Sequence, residues 1–285
     1  MGINPIYKNI STKREQMSKS QHTIADYILE NPHSIPFITG AKLASLTGVS
    51  EATIVRFATF LGYSGYNELQ RQLADTIEKQ LNTAERYSMA SSEFTDTEKV
   101  IYDHFNDDIK NIQTTMSQLN VEEFEQAASY ILQANRVYII ANRSAVSLGT
   151  FLQYYFNIIL GKSELVTTTE AAFDQIYDIN AQDVVIGISY ARYTKSTLNA
   201  VSYAKEKEAT IIALTDHFSS PITSYADISL FASSHMQSFI DSFVAPLSII
   251  NTLIAYVGNE AGVNMKERLE EFEQLWDHYD VFYKN

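Results

Sequence analysis

Apolar residues recur three and four positions apart through the first eighty residues, and this spacing predicts helices. Ser18 and Gln21 form a capping-box pattern ahead of the first helix, and Pro32 marks its end. Gly48 can end the second helix, and Ser50 can cap the third. The apolar positions of the four predicted helices are Ile24, Tyr27 and Ile28, then Ile38, Leu43, Ala44 and Leu46, then Ile54, Phe57 and Leu61, and finally Leu69, Leu73, Ile77 and Leu81.

Beyond residue 97 the pattern changes to an alternation of helices with short apolar runs. The first of these helices is amphipathic, with an apolar stripe made of Ile101, Phe105, Ile109, Ile112, Met116 and Leu119. The apolar runs that follow suit parallel strands buried on both faces. We predict strands over residues 137–140, 164–166, 184–188, 211–214 and 228–231, and helices over residues 148–160, 171–177, 198–207 and 239–258. This alternation predicts a doubly wound α/β domain with a five-stranded parallel sheet, whose ligands bind at the carboxyl ends of the strands.

The two patterns divide the chain of 285 residues into two domains. Residues 1–81 form an all-α domain, and residues 98–285 form the α/β domain. Residues 82–97 contain few large aliphatic side chains and many Ser and Thr, which predicts a linker or the frayed end of the fourth helix.

Residues 40–57 have the spacing of a helix-turn-helix. Two helices that cross steeply need a small residue at their contact and a flexible residue in the turn, and Ala44 and Gly48 meet these needs. The outward side of the second helix would then enter the major groove of DNA. An ordinary helical hairpin in a core has the same spacing, so the pattern alone leaves both interpretations open. The residues that we expect to contact DNA from this helix are Ser50, Glu51, Ala52, Thr53 and Arg56.

The distribution of charge favours DNA binding, although the total does not. A formal charge of −13 argues against a nucleic-acid partner. Residues 1–80, however, hold 8 Lys and Arg against 7 Asp and Glu, whereas the remaining residues hold 13 against 27. A near-neutral domain with a basic leading arm therefore precedes an acidic domain. The expected phosphate contacts are Lys13, Arg14, Lys19, Lys42 and Arg56, few enough that DNA affinity would depend on dimerisation.

Composition and motifs exclude several kinds of chemistry. The chain has no Cys, so it has no disulfide, thiolate metal site or cysteine nucleophile. The six His residues lack metal-ligand spacing and no glycine-rich nucleotide motif occurs, so we expect neither a metal nor a cofactor. No apolar run is long enough for a membrane helix, and no signal-peptide pattern is present, which makes the cytoplasm the expected location.

Residues 17–81 resemble the N-terminal domain of the RpiR family of bacterial transcription regulators. The segments that carry the resemblance are ADYILENP (residues 25–32) and LTGVSEATIVRFATFLGYSGYNELQ (residues 46–70). The resemblance implies operator binding by the helix-turn-helix and a C-terminal SIS (sugar isomerase) domain. Because helix-turn-helix proteins read two half-sites as dimers, we expect a homodimer or homotetramer in which the acidic domain holds the two readers.

Two loops of the α/β domain resemble the phosphate loops of SIS domains, in which the first strand usually ends in Gly-x-Gly-x-Ser and the third in Ser-x-Ser-Gly-x-Thr. Ser189 and Thr194 match the first Ser and the Thr of the second pattern, but Arg192 replaces its Gly. In the first pattern Arg143 replaces a Gly, and Ser144 lies beside the place of the final Ser. The resemblance implies that these five residues bind an effector. The remaining motif positions are occupied by Ala141, Ala145 and Ala191.

The two arginines at glycine positions leave two interpretations open. Their guanidinium groups can replace the lost hydroxyl and amide donors, because guanidinium binds phosphates and carboxylates well. Alternatively they fill or bridge the pocket, since an Arg cannot reproduce the close backbone approach of a Gly, and no sugar phosphate binds.

We therefore expect a transcriptional regulator of carbohydrate or aminosugar genes whose SIS domain senses a phosphosugar or a related anion. We do not expect an enzyme, because Ser196 stands where many isomerases of this resemblance carry a Glu. The alternatives are a sugar-phosphate isomerase-like enzyme and a regulator whose SIS domain only dimerises.

Overall fold

The computed structural model describes residues 5–31, 35, 38–78, 83–90, 97–167, 172–235 and 240–283. The chain divides into two compact units, Met1–Met89 and Ala90–Asn285. Within the segment predicted as a linker or the frayed end of the fourth helix, residues 83–90 form a helix. The predicted helix ends at Pro32 and Leu81 lie outside the described residues. No helix in the described ranges is long and apolar enough to cross a membrane.

The first unit is helical, as the spacing predicts, but it begins with a helix that the sequence analysis missed. Ile6 and Ile10 lie four residues apart and are both buried, so the segment expected to be a basic leading arm is folded onto the helical core. The helices of this unit are α1 (Pro5–Lys13), α2 (Lys19–Glu30), α3 (Gly40–Thr47), α4 (Glu51–Leu61), α5 (Tyr66–Glu78) and α6 (Thr83–Ala90).

Capping residues define where the helices of the first unit begin and end. The capping box is confirmed: the Gln21 amide donates to Ser18 Oγ, and the Ser18 amide donates to Gln21 Oε1. Thr39 caps α3, so that helix begins after Ile38. Gly48 ends α3 with a φ of 67°, a left-handed conformation that glycine adopts without steric cost. These caps confirm the helix-turn-helix of α3 and α4.

The second unit contains a five-stranded parallel sheet, which confirms the predicted fold class. Its strands are β1 (Val137–Ala141), β2 (Ser163–Val166), β3 (Val184–Ile188), β4 (Thr210–Thr215) and β5 (Ile228–Phe231), in the order β2-β1-β3-β4-β5. Its helices are α7 (Thr97–Gln118), α8 (Val121–Gln133), α9 (Val146–Ile159), α10 (Ala172–Gln175), α11 (Lys195–Glu206), α12 (Val244–Glu260) and α13 (Val263–His278).

Helices cover both faces of the sheet. On one face, Ile139 and Ile186 pack among residues of α8, α9 and α12, such as Phe156. On the other, Ile140 and Val185 pack among residues of α10 and α11. Successive side chains of a strand point alternately into these two cores, so the central strands are apolar along their length. This is why the apolar runs in the sequence predicted them.

Several elements of the second unit differ from the prediction. The helix predicted over residues 171–177 is one turn, Ala172–Gln175, and Ala171 lies outside the described residues. The helix predicted from residue 239 begins at Val244 in the structure, and α13 was not predicted. Most of the predicted apolar stripe faces solvent, with Phe105 and Met116 66% and 69% exposed, whereas Leu119, just after α7, packs against the core of the sheet.

Candidate DNA-binding and effector sites

The outer face of α4 presents a row of polar side chains. Ser50 caps the helix, and its Oγ lies 2.8 Å from Thr53 Oγ1. Arg56 Nη2 donates to Thr53 Oγ1 at 3.2 Å, so the two hydroxyls and the guanidinium form one array along three-residue steps. Glu51 and Ala52 are exposed beside it. The structure thus brings together all five residues predicted on this helix.

The inner face of α4 explains why that row points outward. Ile54, Phe57 and Ala58 are buried against the other helices of the first unit. Because helical residues three and four apart share a face, burying these fixes the opposite side toward solvent. Val55, 47% exposed, also lies on the outer side of α4.

The predicted phosphate-contacting cations separate into two groups. Lys13 Nζ donates to the Phe60 and Leu61 carbonyls at 3.0 and 3.4 Å, at the end of α4 opposite to Ser50, about 15 Å away along the helix. Arg14 forms an ion pair of 2.6 Å with Asp26. Lys19 and Lys42 are exposed on α2 and α3. Lys13 and Arg14 are therefore held by partners within the first unit, whereas Lys19 and Lys42 are exposed.

The predicted effector residues lie at the carboxyl edge of the sheet, in the loops that follow β1 and β3. These strands are neighbours, with Ala141 paired with Ile188, so the two loops leave the sheet side by side. In this strand order, the chain crosses to opposite faces after β1 and β3, which opens a crevice between the loops. We call this the β1/β3 crevice.

Arg143 and Arg192 both adopt left-handed backbone conformations, with φ of 55° and 62°. Both stand at positions where the resemblance places glycine. A non-glycine residue in this region costs about 1–2 kcal/mol, and such strain concentrates at functional sites. The loops therefore keep a glycine-like backbone while they carry exposed guanidinium groups.

Hydrogen bonds between neighbouring elements fix the loop after β3. Thr215 Oγ1 donates to the Ser189 carbonyl at 2.6 Å, and the Tyr193 hydroxyl donates to Asp216 at 2.9 Å. Burial raises the pKa of Tyr193, and the Asp216 and Asp241 carboxylates act in the same direction, so this hydroxyl remains a proton donor. Asp216 was not predicted from the sequence, although a polar residue directly after a buried strand is a usable signal.

Ser189 and Thr194 lie in the loop after β3, on one side of the β1/β3 crevice. Ser189 is 4% exposed, and its Oγ has no hydrogen-bond partner within the part of the chain that the structure describes. Thr194 precedes α11, and its side chain makes no capping bond to that helix. Asn142, which the sequence analysis did not select, donates to Thr197 Oγ1 at 2.7 Å and ties the β1 loop to α11. The described residues contain no metal-binding cluster of His, Asp and Glu.

Comparison with known proteins finds one family model within each unit. The helix-turn-helix domain of the rpiR family matches residues 5–80, and the SIS domain matches residues 130–256. An uncharacterised HTH-type transcriptional regulator of Caldanaerobacter subterraneus subsp. tengcongensis is 32% identical over 90% of this chain and 91% of its own. The chain belongs to the RpiR family of transcriptional regulators. The expectation of a regulator that is not an enzyme is thereby confirmed.

Two solved structures share the fold of this RpiR-family regulator. The sugar isomerase domain of an RpiR transcription factor from Sphaerobacter thermophilus is 25% identical, covers 60% of this chain and 96% of its own, and has a TM-score of 0.58. The Vibrio vulnificus NanR protein, solved in complex with ManNAc-6P, is 22% identical, covers 98% of this chain and all of its own, and has a TM-score of 0.60.

Proposed function

We propose that this regulator binds operator DNA as a homodimer and that a phosphosugar or a related anion in the β1/β3 crevice changes its operator affinity. The regulated genes would serve carbohydrate or aminosugar metabolism, and the protein would act in the cytoplasm, where operator DNA lies. The observation that carries the effector proposal is the buried Ser189 hydroxyl without a partner among the described residues.

A buried hydroxyl without a partner costs about 1–3 kcal/mol, and native proteins rarely leave such groups unpaired. An anion in the crevice would accept the Ser189 hydrogen and remove that cost. The amino end of α11 and the nearby guanidinium groups of Arg143 and Arg192 favour negative charge in the same place. The glycine-like conformation of both arginines supports the interpretation that they donate to the ligand and do not close the pocket.

The relatedness to NanR suggests which ligands to test first. That protein was solved with ManNAc-6P, so the probes are ManNAc-6P and inorganic phosphate, with unphosphorylated ManNAc as the negative control. A ligand that binds only the folded state raises the melting temperature. We expect the melting temperature to rise with ManNAc-6P and with inorganic phosphate and to stay unchanged with ManNAc.

Ser189→Ala is the decisive variant for the effector site. Because it removes an unpaired buried hydroxyl, we expect stability to stay equal or rise by about 1 kcal/mol, while the ligand-dependent rise in melting temperature falls. Ser220→Ala is the matched control. The Ser220 hydroxyl is also buried, but it forms a hydrogen bond of 2.7 Å with Thr215 Oγ1. We therefore expect Ser220→Ala to destabilise the protein. If no phosphorylated probe shifts the wild type, the alternative of a SIS domain that only dimerises is favoured.

The array of Ser50, Thr53 and Arg56 carries the DNA-binding proposal. Arg56→Ala should lower affinity for a selected operator by about 1–3 kcal/mol, because an arginine that contacts guanine contributes that much discrimination. Arg136→Ala, next to β1 in the other unit, should leave affinity unchanged. The measurement is fluorescence anisotropy with an operator selected from random DNA, and circular dichroism checks folding. Full affinity in Arg56→Ala would show that this face is not the reader.

The exposed stripe of α7 supports the homodimer. Ile101, Phe105, Ile109 and Met116 are each at least half exposed and lie on one side of the helix. A contiguous apolar patch of this kind marks an interaction surface. We propose that a second copy of the chain covers it, because a dimeric reader of two half-sites needs a self-complementary contact and the rest of this unit is strongly acidic.

A further inference from the structure

The inner face of α7 is polar, which reverses the usual arrangement of an amphipathic helix. Asp107, Asn111 and Thr115 lie at four-residue spacing and are 6%, 3% and 4% exposed. Buried polar side chains persist where they are hydrogen-bonded, so their partners identify what this face holds.

The partners of Asn111 and Thr115 lie in the segment that follows β5. Asn111 Oδ1 accepts from Ser233 Oγ at 2.7 Å and from the His235 amide at 3.1 Å, and its Nδ2 donates to the His235 carbonyl at 3.2 Å. Thr115 Oγ1 accepts from the Ser233 amide at 2.9 Å. Because α7 holds backbone as well as side-chain atoms there, the helix and the first residues after β5 are fixed to each other.

Residues 240–243 join α7 to the effector loop. Ser242 Oγ donates to Asp108 of α7 at 2.5 Å. The next residue, Phe243, packs its ring against Tyr190, with ring centroids 5.5 Å apart. Tyr190 lies between Ser189 and Arg192 in the loop after β3. One short segment thus contacts the predicted effector loop on one side and α7 on the other.

We propose that α7 transmits effector binding from the β1/β3 crevice to its own exposed apolar stripe, through the Tyr190–Phe243 and Ser242–Asp108 contacts. This inference rests on the proposed effector site. A ligand that moves Tyr190 displaces residues 240–243 and, with them, Asp108. Because a helix moves as a rigid element, the shift reaches Phe105 and Ile109 on the outer side. The effector then acts by differential affinity for two positions of α7.

Hydrogen exchange on the full chain tests the coupling without requiring an operator. We expect ManNAc-6P and inorganic phosphate, compared with chloride at equal ionic strength, to slow exchange in residues 189–195. In residues 97–118 of α7 we expect a change of about fivefold or more, the lower end of typical coupling between sites. Asp108→Ala should abolish the change in α7 while the loop remains protected. Asp108→Asn keeps an acceptor for Ser242 and should restore the change.

Asp103→Ala is the matched control, since it removes the same charge from an exposed position of the same helix. It should behave as the wild type. Loop protection without any change in α7, or an equal change in Asp108→Ala and the wild type, would overturn the coupling and leave the effector site standing. No protection of residues 189–195 by either phosphorylated probe would overturn both proposals.

Discussion

Arg143 and Arg192 connect an unusual sequence feature with an unusual backbone. Side chains with a Cβ rarely adopt positive φ, yet both arginines do so at positions where the family resemblance expects glycine. The motif spacing located these positions, because the hydroxyls of Ser189 and Thr194 mark the loop. The backbone conformation could not be predicted, since the local sequence favours no left-handed turn and the flanking strand and helix impose it.

Replacing Arg192 with Gly tests whether the guanidinium or the loop backbone binds the ligand. Relief of the left-handed strain, about 1 kcal/mol, is offset by the entropy of glycine in the unfolded chain, so we expect the melting temperature to change little. Loss of a charge-assisted hydrogen bond, about 1.5–3 kcal/mol, should weaken binding of ManNAc-6P about tenfold or more. Isothermal titration calorimetry measures the affinity.

Glu208→Gly is the control for that variant, because Glu208 also has a positive φ, 64°, but precedes β4 at the opposite edge of the sheet. It should leave ligand affinity unchanged. Unchanged affinity in both Arg143→Gly and Arg192→Gly would favour the interpretation that the arginines do not donate to the ligand.

At the scale of elements, short sequence patterns predicted the helix ends and the buried strands. Caps such as Ser18 and Gly48 carry their own geometry, and apolar runs reveal strands buried on both faces. The α7 helix shows the limit of this reasoning. Its stripe was found in the sequence, but periodicity does not say whether an apolar face meets a core or a partner. That choice depends on Ser233, His235 and Ser242, which lie more than a hundred residues later and satisfy the polar face.

Phe105→Glu tests the role of the α7 stripe. A charge in the centre of an apolar contact is left desolvated and unpaired, which costs several kcal/mol, so we expect the homodimer to dissociate into monomers. Sedimentation velocity measures the assembly state. Gln113→Glu adds the same charge at an exposed position off the stripe and should remain dimeric. A Phe105→Glu protein that sediments as the wild type would place the dimer contact elsewhere.

At the scale of the whole molecule, the charge asymmetry sets how the protein meets DNA. The acidic second unit repels the phosphate backbone, so we expect operator affinity to depend on a few cations of the first unit and, in the proposed homodimer, on its two helix-turn-helix domains. From the sequence, Lys13 and Arg14 were predicted to contact phosphates in the same way as Lys42. Tertiary contacts separate them, because Lys13 stabilises the carboxyl end of α4 and lies over the Phe60 ring, 5.5 Å from its centroid.

The salt dependence of operator binding distinguishes cations that contact phosphates from cations that are held within the first unit. If Lys19 and Lys42 each neutralise a phosphate while Arg56 contacts a base, a dimer releases the counterions of about four phosphates, and log K should fall with log salt at a slope of about −4. Lys42→Ala removes two of these contacts per dimer and should make the slope shallower by about 2. Lys13→Ala should lower thermal stability but leave the slope unchanged, because its ammonium is held by the Phe60 and Leu61 carbonyls. If the slope becomes equally shallow in both variants, the Lys13 ammonium breaks its hydrogen bonds to these carbonyls and contacts the phosphate backbone when DNA binds.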